Sequence, residues 1–251
     1  VDPSAADPLS LSKIDPLLTE DPAVEQARNR HILACVEKKG HRWTPPPLAA
    51  RQTVRGLLAP RPLSVSDARA RGYAWPAGAG EAGAPREDPK VGELVHGSME
   101  SGWASGEWLG VSLQKANGGC EAESLSAFYG SVSDGIVATS VPPGALGPTV
   151  HQVLEDEGVK EIRADWAACM KKSGETRYGA PEALQSEMEM GRKNDRELAV
   201  KDATCRESVK FEPRMEKLLA QYLTPLLQKR EADFQALREI RERGNKRAQE
   251  R

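Results

Sequence analysis

Cys35-Val36-Glu37-Lys38-Lys39-Gly40-His41-Arg42-Trp43-Thr44-Pro45-Pro46 and Cys169-Met170-Lys171-Lys172-Ser173-Gly174-Glu175-Thr176-Arg177-Tyr178-Gly179-Ala180-Pro181 share one outline. In both, a cysteine and an apolar residue lead into a basic run, a glycine, an aromatic and a proline. Each stretch has the features of a helix end. The cysteine falls in the penultimate turn, and lysines sit at the negative end of the helix dipole. Gly40 or Gly174 takes the left-handed cap, and Trp43 or Tyr178 folds back over the last turn.

The remaining cysteines also rhyme, Cys120-Glu121-Ala122-Glu123-Ser124 against Cys205-Arg206-Glu207-Ser208. None of the four has the spacing of a zinc ribbon or a CxxC redox pair. Of the three ways to pair four cysteines, Cys35–Cys120 with Cys169–Cys205 keeps each bridge inside one half and is the economical one. On chain-entropy grounds, bridges of these spans contribute roughly 4–5 kcal/mol each. An even count inside a repeated motif favours an oxidising, extracellular setting over four reduced thiols. Val1-Asp2-Pro3-Ser4-Ala5-Ala6 has no initiator Met, basic run or apolar run. That is expected of a secretory chain whose signal peptide has been removed, and of a trimmed chain as well.

These segments resemble a family of uncharacterised actinobacterial secreted proteins and lipoproteins. The likeness also takes in Gly119-Cys120-Glu121-Ala122-Glu123, Phe128-Tyr129-Gly130, Asp165-Trp166-Ala167-Ala168-Cys169-Met170 and Ala199-Val200-Lys201-Asp202-Ala203-Thr204-Cys205. It covers most of residues 20–250 and departs between Trp75 and Gly119, where this chain is unusually rich in glycine. It implies export and a helical fold; it carries no activity or site residue.

The expected fold is mainly α: two disulfide-linked helical halves with long irregular loops and a long C-terminal helix or helical hairpin. Residues 1–20 are expected to form a flexible arm, 21–147 the first half and 148–251 the second. Asp21-Pro22 opens a helix to about Lys39, closed by Pro45-Pro46-Pro47. A short helical piece is expected around 48–58 and another at Ala68–Gly72. Residues 76–106 look irregular, 121–130 helical, and Pro148-Thr149 starts a helix to Lys172 with a break at Gly158. Asn194 and Glu197 suggest a capping box ahead of nearly continuous helix to about Gly244, kinked at Pro225. Ile136–Val141 is the one β-like run.

Apolar residues make up 39% of the chain, which also has 18 prolines, 22 glycines and a net charge of −2. That composition means much loop and argues against nucleic acid as a partner. No stretch is apolar for long enough to span a bilayer. Nucleophile-elbow, zincin, P-loop and EF-hand signatures are missing, and no cofactor is expected. Gly78-Ala79-Gly80-Glu81-Ala82-Gly83 spells GxGxxG but follows Trp75-Pro76 instead of a strand. His96, with Glu93, Met99 and Glu100 nearby, lacks the second His or thiolate that a metal site needs.

Five tryptophans accompany four tyrosines and three phenylalanines, and Tyr73, Trp75, Trp103 and Trp108 cluster around the glycine-rich segment. Together with His96 they are the candidate binding residues, although plugging a small core under a loop is the commoner use of such aromatics. The expectation is a secreted or envelope-associated, non-enzymatic binding or structural protein. Its partner is expected to be a protein or the cell wall, with self-association through the C-terminal helix. The alternative is a secreted enzyme of unfamiliar type with its site near residues 73–108.

Overall fold

A computed structural model describes residues 7, 10–73, 88–191 and 195–250. In chain order the helices are α1 Ser10–Ile14, α2 Pro22–Lys38, α3 Val54–Leu57, α4 Val65–Arg71 and α5 Pro89–His96. The strands β1 Trp103–Trp108 and β2 Val111–Ala116 follow, then α6 Gly119–Tyr129, α7 Val132–Thr139, α8 Pro142–Ala145 and α9 Gly147–Leu154. The last are α10 Glu157–Lys172, α11 Pro181–Met190, α12 Arg196–Ser208, α13 Phe211–Lys229 and α14 Glu231–Gln249. The fold is mainly α, with the long C-terminal helix expected from its apolar stripe. Cys35 pairs with Cys120 and Cys169 with Cys205, and no cysteine is free. Such a pattern belongs to an oxidising environment. Among the described residues no helix is long and apolar enough to cross a membrane.

Two compact units each draw on three stretches of chain. One comprises Lys13–Gln52, Ala77–Leu146 and Leu227–Arg251, the other Val1–Ser12, Thr53–Pro76 and Gly147–Leu226. Each holds one disulfide.

In the Cys35–Cys120 unit, Ile32, Val36, Val91, Val95 and Cys120 form a cluster on which Cys35 and Trp43 pack. The end of α2 is capped as its residues dictate. Gly40 adopts φ +82°, its N–H bonds to the Glu37 carbonyl, and the His41 N–H reaches back to Val36. The C-terminal α14 packs against α2, α6 and α7, burying Phe234, Leu237 and Arg241. Arg241 Nη2 donates to the Ala138 carbonyl at 2.7 Å, and Nη1 donates to the carbonyls of Pro16 and Thr19. Buried Arg28 grips Glu20 through two bonds of 2.8 and 3.0 Å, and the Tyr129 hydroxyl donates to the same carboxylate.

The Cys169–Cys205 unit repeats the helix end. Gly174 has φ +89°, its N–H bonds to Lys171, and the Glu175 N–H bonds to Met170. The core joins Val159, Ile162, Trp166 and Met170 of α10 to Leu184 of α11, Leu198 of α12, and Phe211, Met215, Leu219 and Leu223 of α13. At its centre the fully buried Asp202 accepts from Trp166 Nε1, Tyr73 Oη and two nitrogens of Arg206.

Several local expectations are corrected. Residues 136–141 form no strand, because Ser131 accepts the Asp134 N–H and starts α7, which buries Ile136, Val137 and Ala138. The strands lie in what looked irregular or unassigned, as an antiparallel hairpin with Trp103 opposite Ala116 and Trp108 opposite Val111. Its turn, Leu109-Gly110, has φ of +52° and +81°, the left-handed pair that a two-residue hairpin requires. Leucine in the first of those places hides the signal. The helical piece near 48–58 shrinks to Val54–Leu57, and the break before α10 comes at Glu155-Asp156, where Asp156 caps the new helix.

In the arm, the Asp7 N–H bonds to Thr224 Oγ1, Ser10 Oγ pairs with the same hydroxyl at 2.7 Å, and Ile14, Leu17 and Leu18 are buried. The cap of α12 is Asp195, which accepts the Leu198 N–H. Asn194, Trp75 and Gly78–Gly83 lie outside the described residues.

Truncation after Gln228 tests the packing of α14. Loss of Phe234 and Leu237 alone should cost about 5–10 kcal/mol, comparable with a whole domain's stability. Thermal circular dichroism should show the Cys35–Cys120 unit unfolded; a wild-type melting curve would refute the packing.

Candidate functional site

Of the five candidate residues, Trp75 lies outside the described residues, and the other four differ in burial. Tyr73 belongs to the Cys169–Cys205 unit, where it is buried and spends its hydroxyl on Asp202 at 3.1 Å. Burial and the neighbouring carboxylate push its ionisation far upward, so it serves as a core anchor. Trp108 is 5% exposed, donates Nε1–H to the Asp233 carbonyl at 3.0 Å and meets Phe234 edge-on. It is a plug that ties the hairpin to α14. Trp103 and His96 are the two found at the surface. Trp103 is 56% exposed at the start of β1, while the His96 side chain is 61% exposed at the end of α5.

His96 belongs to a polar arrangement on the surface of the Cys35–Cys120 unit. Helix α6 starts at the Gly118-Gly119 pair, which puts Cys120 in its first turn and Glu121 beside it. His96 Nδ1 lies 3.0 Å from Glu121 Oε2, and Lys115 Nζ on β2 lies 2.6 Å from Oε1. Burial alone would raise the Glu121 carboxyl. His96 and Lys115 more than offset that and hold it at about 2.

The start of α6 can come so close to the end of α5 because both backbones carry glycine. A Cβ on Gly97 would fall 2.5 Å from the Gly118 carbonyl oxygen. The contact forms the floor of a cleft of about 450 Å³ lined by Lys39, His41, Lys90, Glu93, Ser98 and Ser101. Trp103 follows Ser101 by two residues and stands opposite Ala116, next along the strand from Lys115. Trp103 and Lys115 therefore occupy opposite faces of the hairpin.

A second cleft, about 600 Å³, adjoins Cys169 and is lined by Asp165, Lys172, Ser208 and Arg214. There Arg214 already holds Asp165 at 2.6 Å. Among the described residues no group of His, Cys, Asp and Glu could hold a metal ion.

Sequence reasoning found His96 and Trp103 but paired His96 with Glu93 and Glu100. Its partner is Glu121, 25 positions away. Only the Gly118-Gly119 pair beside Cys120 hints at close backbone approach there.

Two outcomes are expected. Trp108→Ala should cost about 3–5 kcal/mol in chemical denaturation, whereas Trp103→Ala should stay within about 0.5 kcal/mol; equal losses would contradict the difference in burial. The Glu121 carboxyl, depressed in the folded state, contributes stability that is complete above its unfolded value near 4.5 and is lost as pH falls towards 2. Glu121→Gln should therefore flatten the melting-temperature profile between those limits, and an unchanged slope would remove the ion pairs from the account.

No protein-family model, curated protein or solved structure matches this chain.

Proposed function

We propose that the chain is a secreted or cell-envelope-associated binding protein without catalytic activity. Its ligand-facing surface would be the cleft beside Cys35–Cys120 together with Trp103. The closed disulfides and the resemblance of the two cysteine segments to exported actinobacterial proteins support the compartment.

The observation that carries the functional reading is the exposure of Trp103, 56% open at the start of β1 while Trp108 at the other end of the strand is buried. Glu121 is held at about 2, while burial and buried carboxylates push Tyr73 and Tyr129 upward, away from neutrality. General acids and bases work best with values near the working pH. A carboxylate that stays ionised and tyrosines that stay neutral suit structural roles, and an exposed tryptophan suits a sugar face or an apolar side chain. The partner in this reading is a cell-wall component or an envelope protein.

Co-sedimentation of the oxidised protein with purified actinobacterial cell-wall fragments tests this. Wild type should pellet with them, and Trp103→Ala should weaken binding roughly tenfold or more, the loss typical of an interfacial tryptophan, at unchanged melting temperature. Equal pelleting of the two proteins, or release of soluble wall products by wild type, would overturn the proposal. The second outcome would favour a secreted enzyme.

A further inference from the structure

We infer that the cleft beside Cys35–Cys120 takes a small ligand bearing a carboxylate or phosphate group. This rests on the binding reading above and names the chemistry of the ligand.

The charge balance of the walls points that way. Lys39 and His41 come from the end of α2 and Lys90 from the first turn of α5, facing one carboxylate, Glu93. Lys90 has no ion-pair partner among the described residues. Lys39 has Glu123 at 3.5 Å, with both side chains largely exposed, a pairing of little strength that an incoming anion can replace. Glu121, the other nearby carboxylate, is already paired with Lys115 and hydrogen-bonded to His96 and does not repel an anion as a bare carboxylate would.

Hydrogen-bonding capacity is present as well. Ser101 Oγ donates to the Ser98 carbonyl at 2.6 Å, which fixes that turn. The Ser98 hydroxyl, unpartnered among the described residues, can donate to an acceptor in the cleft. The floor is closely packed, since α5 and α6 meet at the glycine contact and Cys120 is covalently tied to Cys35. A cleft of about 450 Å³ lies within the range used for small-molecule sites.

Isothermal titration of the oxidised full-length chain with glucuronate, glucose 6-phosphate and glucose at low salt tests the inference. At least one of the two anions should bind and the neutral sugar should not, with the preferred anion identifying the acid group. Lys39→Gln and Lys90→Gln, both exposed and expected to melt like wild type, should each weaken binding roughly tenfold, the loss of one charge-assisted contact. Raising the salt to about 0.5 M should weaken it further. Glucose binding as well as the anions, or both lysine variants binding like wild type, would overturn the inference. If neither anion binds while Trp103→Ala still abolishes wall pelleting, the binding reading stands and the anion inference falls. If an anion binds with the expected lysine dependence but Trp103→Ala pellets normally, the anion site stands and the role of Trp103 falls.

Discussion

A carboxylate sealed away from water has to be surrounded by donors, and each unit of this protein is organised around one. Asp202 receives Trp166, Tyr73 and a two-point grip from Arg206, whose remaining nitrogen reaches the Arg61 carbonyl. Glu20 receives Arg28 and Tyr129. Removing one partner from such a group leaves an uncompensated charge, at a cost of about 3–5 kcal/mol. The geometry of the donors is therefore tightly prescribed. This suits a chain with only 39% apolar residues, in which Arg55 and Arg206 also hold the carbonyls of Leu58, Pro60 and Arg61. Polar anchors do for the loops what apolar stripes do for the helices.

The helix ends were legible because their determinants are local. A glycine in the left-handed region closes a helix whatever lies around it, so Gly40 and Gly174 could be placed from sequence alone, and the cysteine before each is positioned with it. The second cysteines only looked alike. Cys120 lies in the first turn of α6, whereas Cys205 lies near the end of α12. The correspondence is thus between two helix ends and does not extend to their partners. The hairpin was missed for the opposite reason: Gly106 and Leu109 answer to tertiary demands. Gly106 is there because a Cβ would strike Ile136 at 2.8 Å.

Much the same holds at the candidate site. An exposed tryptophan and a histidine in a glycine-rich stretch stand out in a sequence. Lys39, Lys90, Lys115 and Glu121 do not, since charged residues on helices and strands are usually just solvated. What sets these apart is convergence from α2, α5, β2 and α6, which no local pattern encodes. The buried arginines are hidden similarly: Arg28, Arg206 and Arg241 resemble surface residues until their acceptors are known.

Arg241 has a further consequence for how the chain comes into being. Its acceptors are the carbonyls of Pro16, Thr19 and Ala138, so one side chain holds residues made 225 and 222 positions before it. The unit containing Cys35 and Cys120 cannot be completed before Arg241 has been made, whereas the stretch from Gly147 to Leu226, with both of its cysteines, has been synthesised by then. Until Arg241 is in place that unit stays open, with both of its cysteines already made and its packing incomplete.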